Sequence, residues 1–221
     1  RVFEDQFTPQ CFITTDLDSN QFTAFHPGAM SEAHRVEVNP ALPAAFGIVG
    51  PNGFEAMLAH ARGFREAQVP FIFDPGQGLP MFDGTALRRA MDGAAVITVN
   101  DYEAQMVADK LGCTEADLAG LAPVVIITRG ADGSDVFLSG MRHHVPVAAA
   151  AKVVDPTGCG DAYRGGLLYG AAQGWSWLKS AQLGSVLGAI KIESQGPQNH
   201  RPSREQIAER FRATYDLPLF D

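Results

Sequence analysis

The strongest chemical signal in the sequence is a glycine-rich turn, which follows an apolar run and precedes a helical pattern. It reads Asp155-Pro-Thr-Gly-Cys-Gly-Asp161. Glycines let backbone N–H groups converge on an anion at the start of a helix, where the helix dipole also favours negative charge. A carboxylate at Asp161 could then take a proton from an alcohol held beside that anion. The turn therefore indicates a phosphate site with a general base, and the alternative is that Asp161 only caps the helix.

Other glycine and nucleophile motifs are excluded. A dinucleotide fingerprint needs a third glycine after Gly158 and Gly160, and Tyr163 stands at that position. The lysines do not follow the Gly-x-x-x-x-Gly spacing of a Walker motif, and the sequence contains no Gly-x-Ser-x-Gly elbow. These observations argue against a Rossmann oxidoreductase, a Walker NTPase and a serine hydrolase.

The composition predicts a globular protein that handles small molecules. Of its 221 residues 46% are hydrophobic and 19% are charged, which suits one domain with a sizeable core. The net charge of −8 argues against nucleic-acid and membrane partners. The three widely spaced cysteines fit a reducing cytoplasm. The chain opens at Arg1 in strand-like sequence, so we expect an N-terminal part of the domain to be missing.

Short apolar strands alternate with helical segments after residue 45. We expect strands at 45–49, 69–73, 95–99 and 124–128, and helices near 53–66, 84–91 and 101–111. Such alternation predicts a parallel sheet covered by helices on both faces. The last third is mostly helical, with helices expected at 160–173, 176–192 and 203–214.

Two hairpins complete the expected elements. Residues 11–15 and 21–25 are β-rich and flank the turn-forming residues 16–20. A second hairpin is expected to pair 136–138 with 143–147.

The glycine turn resembles the C-terminal signature of the ribokinase-like, or pfkB, carbohydrate kinases. Cys159 stands where that family usually has alanine, a change between small residues that keeps the turn. The resemblance implies one three-layer α/β/α domain over residues 1–221, with a mostly parallel central sheet and a small β lid at 11–30. It also implies that Asp161 is the catalytic base and that Gly158, Cys159 and Gly160 form the anion hole.

Two further motifs follow the family's order. Asn100 and Glu103 resemble its Asn-x-x-Glu motif, in which the asparagine reaches the nucleotide phosphates and the glutamate holds Mg²⁺ through water. The alternative is an ordinary N-cap with a favourable acid in the first turn. Thr128, Gly130 and Gly133 resemble a loop that contacts the nucleotide, and the alternative is a β-turn between two strands.

The resemblance implies roles for three further positions. Ser185 lies on the helix that walls the adenine pocket in the family, although the glycines at 184 and 188 would equally serve helix packing. Asp155 and Thr157, with backbone carbonyls in 194–200, match positions where relatives hold a monovalent cation. The resemblance thus implies ATP and Mg²⁺ as ligands and adds potassium as a hypothesis.

The resemblance implies an ATP-dependent kinase that phosphorylates a primary hydroxyl. Phe12, Phe22 and Phe25 give the lid hairpin an aromatic character. These rings could stack on the base of a nucleoside, which favours adenosine as acceptor, or form a small core beneath the hairpin. A sugar kinase of the ribose or fructose type is the alternative, and a non-catalytic nucleotide-binding regulator is the second. The hairpin is also a candidate surface for a homodimer.

Overall fold

A computed structural model describes residues 2–16, 21–39 and 43–220. The chain divides into two compact units, with the boundary between Val125 and Ile126. The single domain expected from the sequence stays a prediction.

The first unit begins with the expected hairpin. Strands β1 (Gln10–Thr15) and β2 (Gln21–His26) pair antiparallel, with Cys11 opposite Phe25. Residues 17–20 of the expected turn lie outside the described residues. The side chains of Phe12 and Phe22 are 66% and 74% exposed, so these two rings do not form a buried core beneath the hairpin.

The rest of the first unit confirms the expected alternation of strands and helices. Its elements are β3 (Gly47–Val49), α1 (Phe54–Glu66), β4 (Phe71–Phe73), α2 (Gly84–Met91), β5 (Val96–Asn100) and α3 (Asp101–Leu111). Strand β4 pairs parallel with both β3 and β5. Each crossover between parallel strands contains a helix, as this topology requires.

The core of the first unit explains why its strands read as continuous apolar runs. All three residues of β4 are fully buried, and the Phe64 ring of α1 stacks on Phe71 at 5.7 Å between centroids. Strands buried on both faces cannot alternate polar and apolar residues. The side chain of Asp83 caps α2 by accepting the N–H of Ala86 at 2.7 Å.

The described residues of the second unit contain most of β6, two further strands, three α-helices and a short 3₁₀ helix at Gly130–Asp132. Strand β6 (Val124–Thr128) crosses the boundary and is followed by β7 (Ser134–Leu138), β8 (Met141–Val145), α4 (Cys159–Ala172), α5 (Trp177–Ile192) and α6 (Arg204–Tyr215). Strands β7 and β8 form the second expected hairpin. Helix α6 begins with a capping box between Ser203 and Gln206.

Helices α4 and α5 pack closely through glycines. A side chain at Gly166 of α4 would collide with the backbone of Gly184 on α5. A side chain at Gly184 would collide with Tyr163. The packing role expected for Gly184 is therefore confirmed. Within the described residues, no helix has the length and apolar character to cross a membrane.

A buried carboxylate joins the two strands of the second hairpin. The side chain of Asp135 is fully buried and accepts hydrogen bonds from Arg129 at 2.7 Å and from His144 at 3.2 Å, and it pairs with Arg142 at 2.9 Å. Burial alone would raise the pKa of Asp135, but the bonds from these three cationic or imidazole groups outweigh it and lower the pKa to about 2.

We expect this carboxylate to make stability pH-dependent. Because its pKa is lower in the folded chain than its usual 3.8, its contribution is present above that value and is lost as the pH falls toward about 2. Asp135→Asn should lower the free energy of unfolding by about 2 kcal/mol at neutral pH, and by much less near pH 2. Denaturant unfolding at both pH values measures this, with the exposed acid variant Glu209→Gln as control. An equal loss at both pH values would contradict the assignment.

Candidate active site

Helix α4 begins with an N-terminus at which no side chain makes a capping hydrogen bond. Gly158 is its N-cap residue in the left-handed conformation, with φ +86° and ψ 4°, and no side chain caps the first turn. The first N–H groups of a helix have no acceptor within the helix. The turn therefore leaves N–H groups and the positive end of the helix dipole uncapped, and binding of an anion there stays a prediction.

Asp161 lies in the first turn of α4, three residues after the N-cap. Its side chain is exposed and makes no hydrogen bond or ion pair with the residues that the structure describes. The alternative in which Asp161 is the N-cap residue is wrong, because Gly158 holds that position. That Asp161 accepts a proton from an incoming alcohol stays a prediction.

Cys159 contributes little chemistry of its own. Its N–H donates to the carbonyl of Pro156 at 3.1 Å, which closes the turn before α4. Burial raises the pKa of the Cys159 thiol, so the thiol stays protonated at neutral pH. We therefore expect the N–H groups of Gly158 and Gly160 to make the principal contacts to an anion.

The Asp155 carboxylate forms hydrogen bonds both within the glycine turn and to the segment after α5. Its Oδ1 accepts the N–H of Thr157 at 2.9 Å, and its Oδ2 accepts the N–H of Gly196 at 2.7 Å and the side-chain amide of Gln195 at 3.2 Å. The bonds from the backbone and side chain of Thr157, followed by that from Gly196, lower the pKa of Asp155 to about 2. Asp155 thus joins the turn to the segment 194–197.

Lys191 reinforces the same junction and was missed in the sequence. It lies in the last turn of α5, its side chain is fully buried, and its Nζ donates to the carbonyls of Asp155 at 2.7 Å and Ser194 at 3.1 Å. A buried lysine is rare unless its charge is compensated. The only signal in the sequence is a lone lysine within the apolar end of a helix, Leu187–Ile192.

Tyr163 anchors the first turns of α4 within the second unit. Its hydroxyl is 2.7 Å from the hydroxyl of Ser134 on β7, and both residues are buried. Burial raises the pKa of Tyr163 well above its usual range, so the phenol stays protonated. This buried contact holds the helix that carries Asp161 against the sheet.

The Thr128–Gly133 loop is explained in part by the fold. Gly133 has φ +85°, and a side chain there would collide with the carbonyl oxygen of Val145 on β8. The carbonyl of Gly133 accepts the N–H of Arg129 at 2.8 Å, so the expected turn between strands is present. Gly130 has open space around its Cα, which leaves room for a ligand. Nucleotide contacts from Thr128, Gly130 and Gly133 stay a prediction.

Ser185 is buried in the second unit and its hydroxyl is used internally. Its Oγ accepts the N–H of Ala148 at 2.8 Å. The Ser185 side chain also forms a hydrogen bond with the side chain of Tyr215. The predicted adenine contact at Ser185 would therefore use its position on α5 and not its hydroxyl.

Asn100 and Glu103 in the first unit form a reciprocal capping box at the start of α3. The Asn100 side chain accepts the N–H of Glu103 at 2.7 Å, and Glu103 Oε2 accepts the N–H of Asn100 at 2.8 Å. The capping alternative is thus confirmed for this pair, and the phosphate and magnesium roles stay predictions. In the described part of the chain, no three His, Cys, Asp or Glu side chains group together as metal ligands.

Comparisons with known proteins identify the family of the chain. Residues 2–204 match the model of the pfkB family carbohydrate kinases. The chain belongs to the pfkB family. It is therefore a kinase, and its fold is the three-layer α/β/α fold of ribokinase-like proteins with a mainly parallel central sheet.

Two relatives of this pfkB kinase are informative. The structure of Burkholderia thailandensis nucleoside kinase in complex with inosine has a TM-score of 0.95 at 48% identity, covering 99% of this chain and 72% of that one. A second structure of the same protein, in complex with ADP-inosine, has a TM-score of 0.92 at 48% identity, covering 97% of this chain and 67% of that one. Nucleoside kinase from Methanocaldococcus jannaschii is 29% identical over 219 residues, which are 94% of this chain and 68% of the relative.

Substitution of Gly158 tests whether the turn depends on the left-handed backbone conformation of this residue. An alanine there would adopt a left-handed φ, and its Cβ would lie 3.1 Å from atoms of Pro197. We expect Gly158→Ala to lower the free energy of unfolding by about 1–2 kcal/mol and to weaken ATP binding, because the strained residue shifts the neighbouring N–H groups.

Gly165 on the same helix is the matched control. A side chain there meets nothing within 4 Å. Gly165→Ala should raise the free energy of unfolding by roughly 0.5–1 kcal/mol through helix propensity and leave ATP affinity unchanged. Thermal denaturation and ATP titration measure both variants. Equal behaviour of the two would contradict the role of the left-handed N-cap.

Proposed function

We propose that this kinase transfers the γ-phosphoryl group of ATP to a primary hydroxyl of a nucleoside. The observation that carries the proposal is the 48% identity, over 99% of the chain, to a nucleoside kinase in complex with inosine. The complex of that protein with ADP-inosine supports a nucleotide as the second ligand. Purine nucleosides are therefore the first acceptors to test, with inosine alongside the adenosine that the sequence favoured.

The residues of α4 have distinct roles in this proposal. Asp161 takes the proton of the acceptor hydroxyl as the oxygen attacks the γ-phosphorus, and the bond from this phosphorus to the bridging oxygen of the β-phosphate breaks, so that ADP leaves. The N–H groups of Gly158 and Gly160 donate to the oxygens of the transferring phosphoryl group, where negative charge is concentrated. Positioning and charge neutralisation supply most of the catalysis of such a transfer, and an open helix N-terminus with one free carboxylate provides both.

The described part of the hairpin offers a surface for the base of a nucleoside. Phe12 and Phe22 lie on one face of the hairpin and Phe25 on the other, because Phe22 pairs with Thr14 and Phe25 with Cys11. Phe12 and Phe22 are 66% and 74% exposed, and aromatic faces stack favourably on purines. A free sugar has no flat aromatic face to stack. Exposed rings therefore favour a nucleoside over ribose or fructose.

Glu103 is the residue we assign to Mg²⁺, through water. A carboxylate oxygen is the ligand type that this ion prefers, and bound magnesium would neutralise charge on the β- and γ-phosphates. The potassium site expected around Asp155 and Thr157 is a further prediction from the sequence. The contacts of Lys191 argue that its ammonium group, and not potassium, is the cation there.

The proposal is tested by measuring ATP-dependent phosphorylation across inosine, adenosine, cytidine, ribose and fructose. We expect kcat/KM to be highest for the two purine nucleosides. Asp161→Asn should lower kcat by roughly 10²–10⁴-fold, because it removes the base, while ATP affinity is largely kept. Glu209→Gln, an exposed acid in α6, should leave kcat unchanged.

Each other outcome selects a different function. Preference for ribose or fructose over every nucleoside would identify a sugar kinase. ATP binding without turnover of any acceptor would identify a regulator. Near-normal turnover by Asp161→Asn would refute the role of Asp161 as the base.

Glu103→Gln separates the metal role of this residue from its capping role. A glutamine at 103 can still accept the N–H of Asn100, so the capping box and the thermal stability should be kept. Loss of the charge should raise the Mg²⁺ concentration needed for half-maximal activity. Glu103→Ala, as the comparison, should lose both properties. An unchanged Mg²⁺ dependence in Glu103→Gln would rule out the metal role.

A further inference from the structure

The buried ammonium group of Lys191 binds backbone carbonyls in the way that a metal cation does. Its Nζ lies 2.7 Å from the carbonyl oxygen of Asp155 and 3.1 Å from that of Ser194, and the residue is fully buried. Both partners belong to backbone segments that meet at the glycine turn. The charge of Lys191 also acts on Asp155 and Cys159, which flank this turn.

The two segments joined by Lys191 hold Gly158 between them. The Asp155 carboxylate bonds both to Thr157, just before Gly158, and to Gly196. The backbone N–H groups of Val154 and Asp155 both donate to the carbonyl of Ile192, at 2.9 and 3.1 Å. Pro197 then packs directly against Gly158. A change in the position of either segment would therefore move the N-cap of α4.

A plain structural role does not explain why a lysine occupies this position. Burying a cation costs several kcal/mol unless its neighbours compensate, and an apolar residue of similar size is often as stable in its place. The charge sits next to an anion-binding turn, in surroundings of low polarity where electrostatic interactions are strong. A positive charge there would favour the negative charge that accumulates during phosphoryl transfer.

We infer that Lys191 is a positioning residue that acts as a built-in monovalent cation, ordering the glycine turn and supporting its affinity for the phosphoryl group. The ammonium group donates hydrogen bonds to the carbonyl oxygens of Asp155 and Ser194. Both residues belong to the set for which the sequence suggested potassium binding. The kinase then needs no potassium for activity. This inference rests on the proposed transfer of a phosphoryl group at the α4 turn, but not on the identity of the acceptor.

The first test uses the unmodified protein and whichever acceptor of the panel it phosphorylates. We expect equal kcat in buffers whose monovalent cation is potassium, sodium or tetramethylammonium at the same ionic strength. A requirement for potassium overturns the inference. Absence of turnover with nucleosides, by contrast, concerns only the proposed acceptor, and the comparison can be made with a sugar that is phosphorylated.

Two substitutions of Lys191 test the role of the charge. Lys191→Met keeps the volume without the charge, and we expect kcat/KM for ATP to fall by roughly 10–100-fold. Lys191→Ala leaves a cavity bordered by the same carbonyls, and we expect its activity to be restored in part by potassium or ammonium ions but not by lithium. Potassium should not rescue Lys191→Met, because its side chain fills the cavity.

Lys179→Met is the control on the same helix. Lys179 lies over the Trp175 ring, 4.4 Å from its centroid, so its loss removes a cation from α5 without affecting the glycine turn. We expect its kcat/KM to stay near that of the unmodified protein. If Lys191→Met keeps full kcat/KM, or if Lys191→Ala loses activity that no monovalent cation restores, the role of a built-in cation is wrong and Lys191 is a structural residue only.

Discussion

The arrangement of the second unit depends on keeping the N-terminus of one helix free of side-chain caps. Most helices satisfy their first N–H groups with a serine, threonine or acidic N-cap, as α2, α5 and α6 do here with Asp83, Ser176 and Ser203. Helix α4 instead starts from Gly158 in a left-handed conformation. The stability that a cap would give is absent, and the N–H groups that a cap would occupy are available to a ligand.

Such an uncapped turn needs support from outside the helix. Asp155 and Lys191 provide it with two opposite charges that bond to backbone groups of both neighbouring segments. Backbone groups are fixed by the chain, so bonds to them restrict the turn more than bonds between mobile side chains would. On the other side of α4, the hydroxyl contact between Tyr163 and Ser134 and the close packing at Gly166 restrict the helix itself. A turn held in this way would lower the entropic cost of the phosphoryl binding that we propose there.

Local signals made most of the strands and helices, and the glycine turn before α4, predictable from the sequence. The strand and helix bounds agree with the structure to within about two residues for most elements, because apolar periodicity and caps are local properties. Lys191 was missed since its burial follows from contacts with residues up to 36 positions away. The dual use of Asp155 was likewise hidden, because the N–H of Gly196 is 41 positions distant. Sequence spacing does not reveal which side chain meets which carbonyl across such distances.

The two acids predicted to act in chemistry occupy the same position in their helices, and their N-cap residues make the difference. Glu103 and Asp161 each stand three residues after an N-cap. At α3 the cap is Asn100, whose side chain bonds to the N–H of Glu103 while the glutamate bonds back, so both residues stabilise the helix. At α4 the cap is Gly158, which has no side chain, and Asp161 makes no hydrogen bond within the described residues. The glycine at the N-cap of α4 therefore leaves uncapped the N–H groups that the asparagine covers at α3, and these are the groups that we propose bind the phosphoryl group.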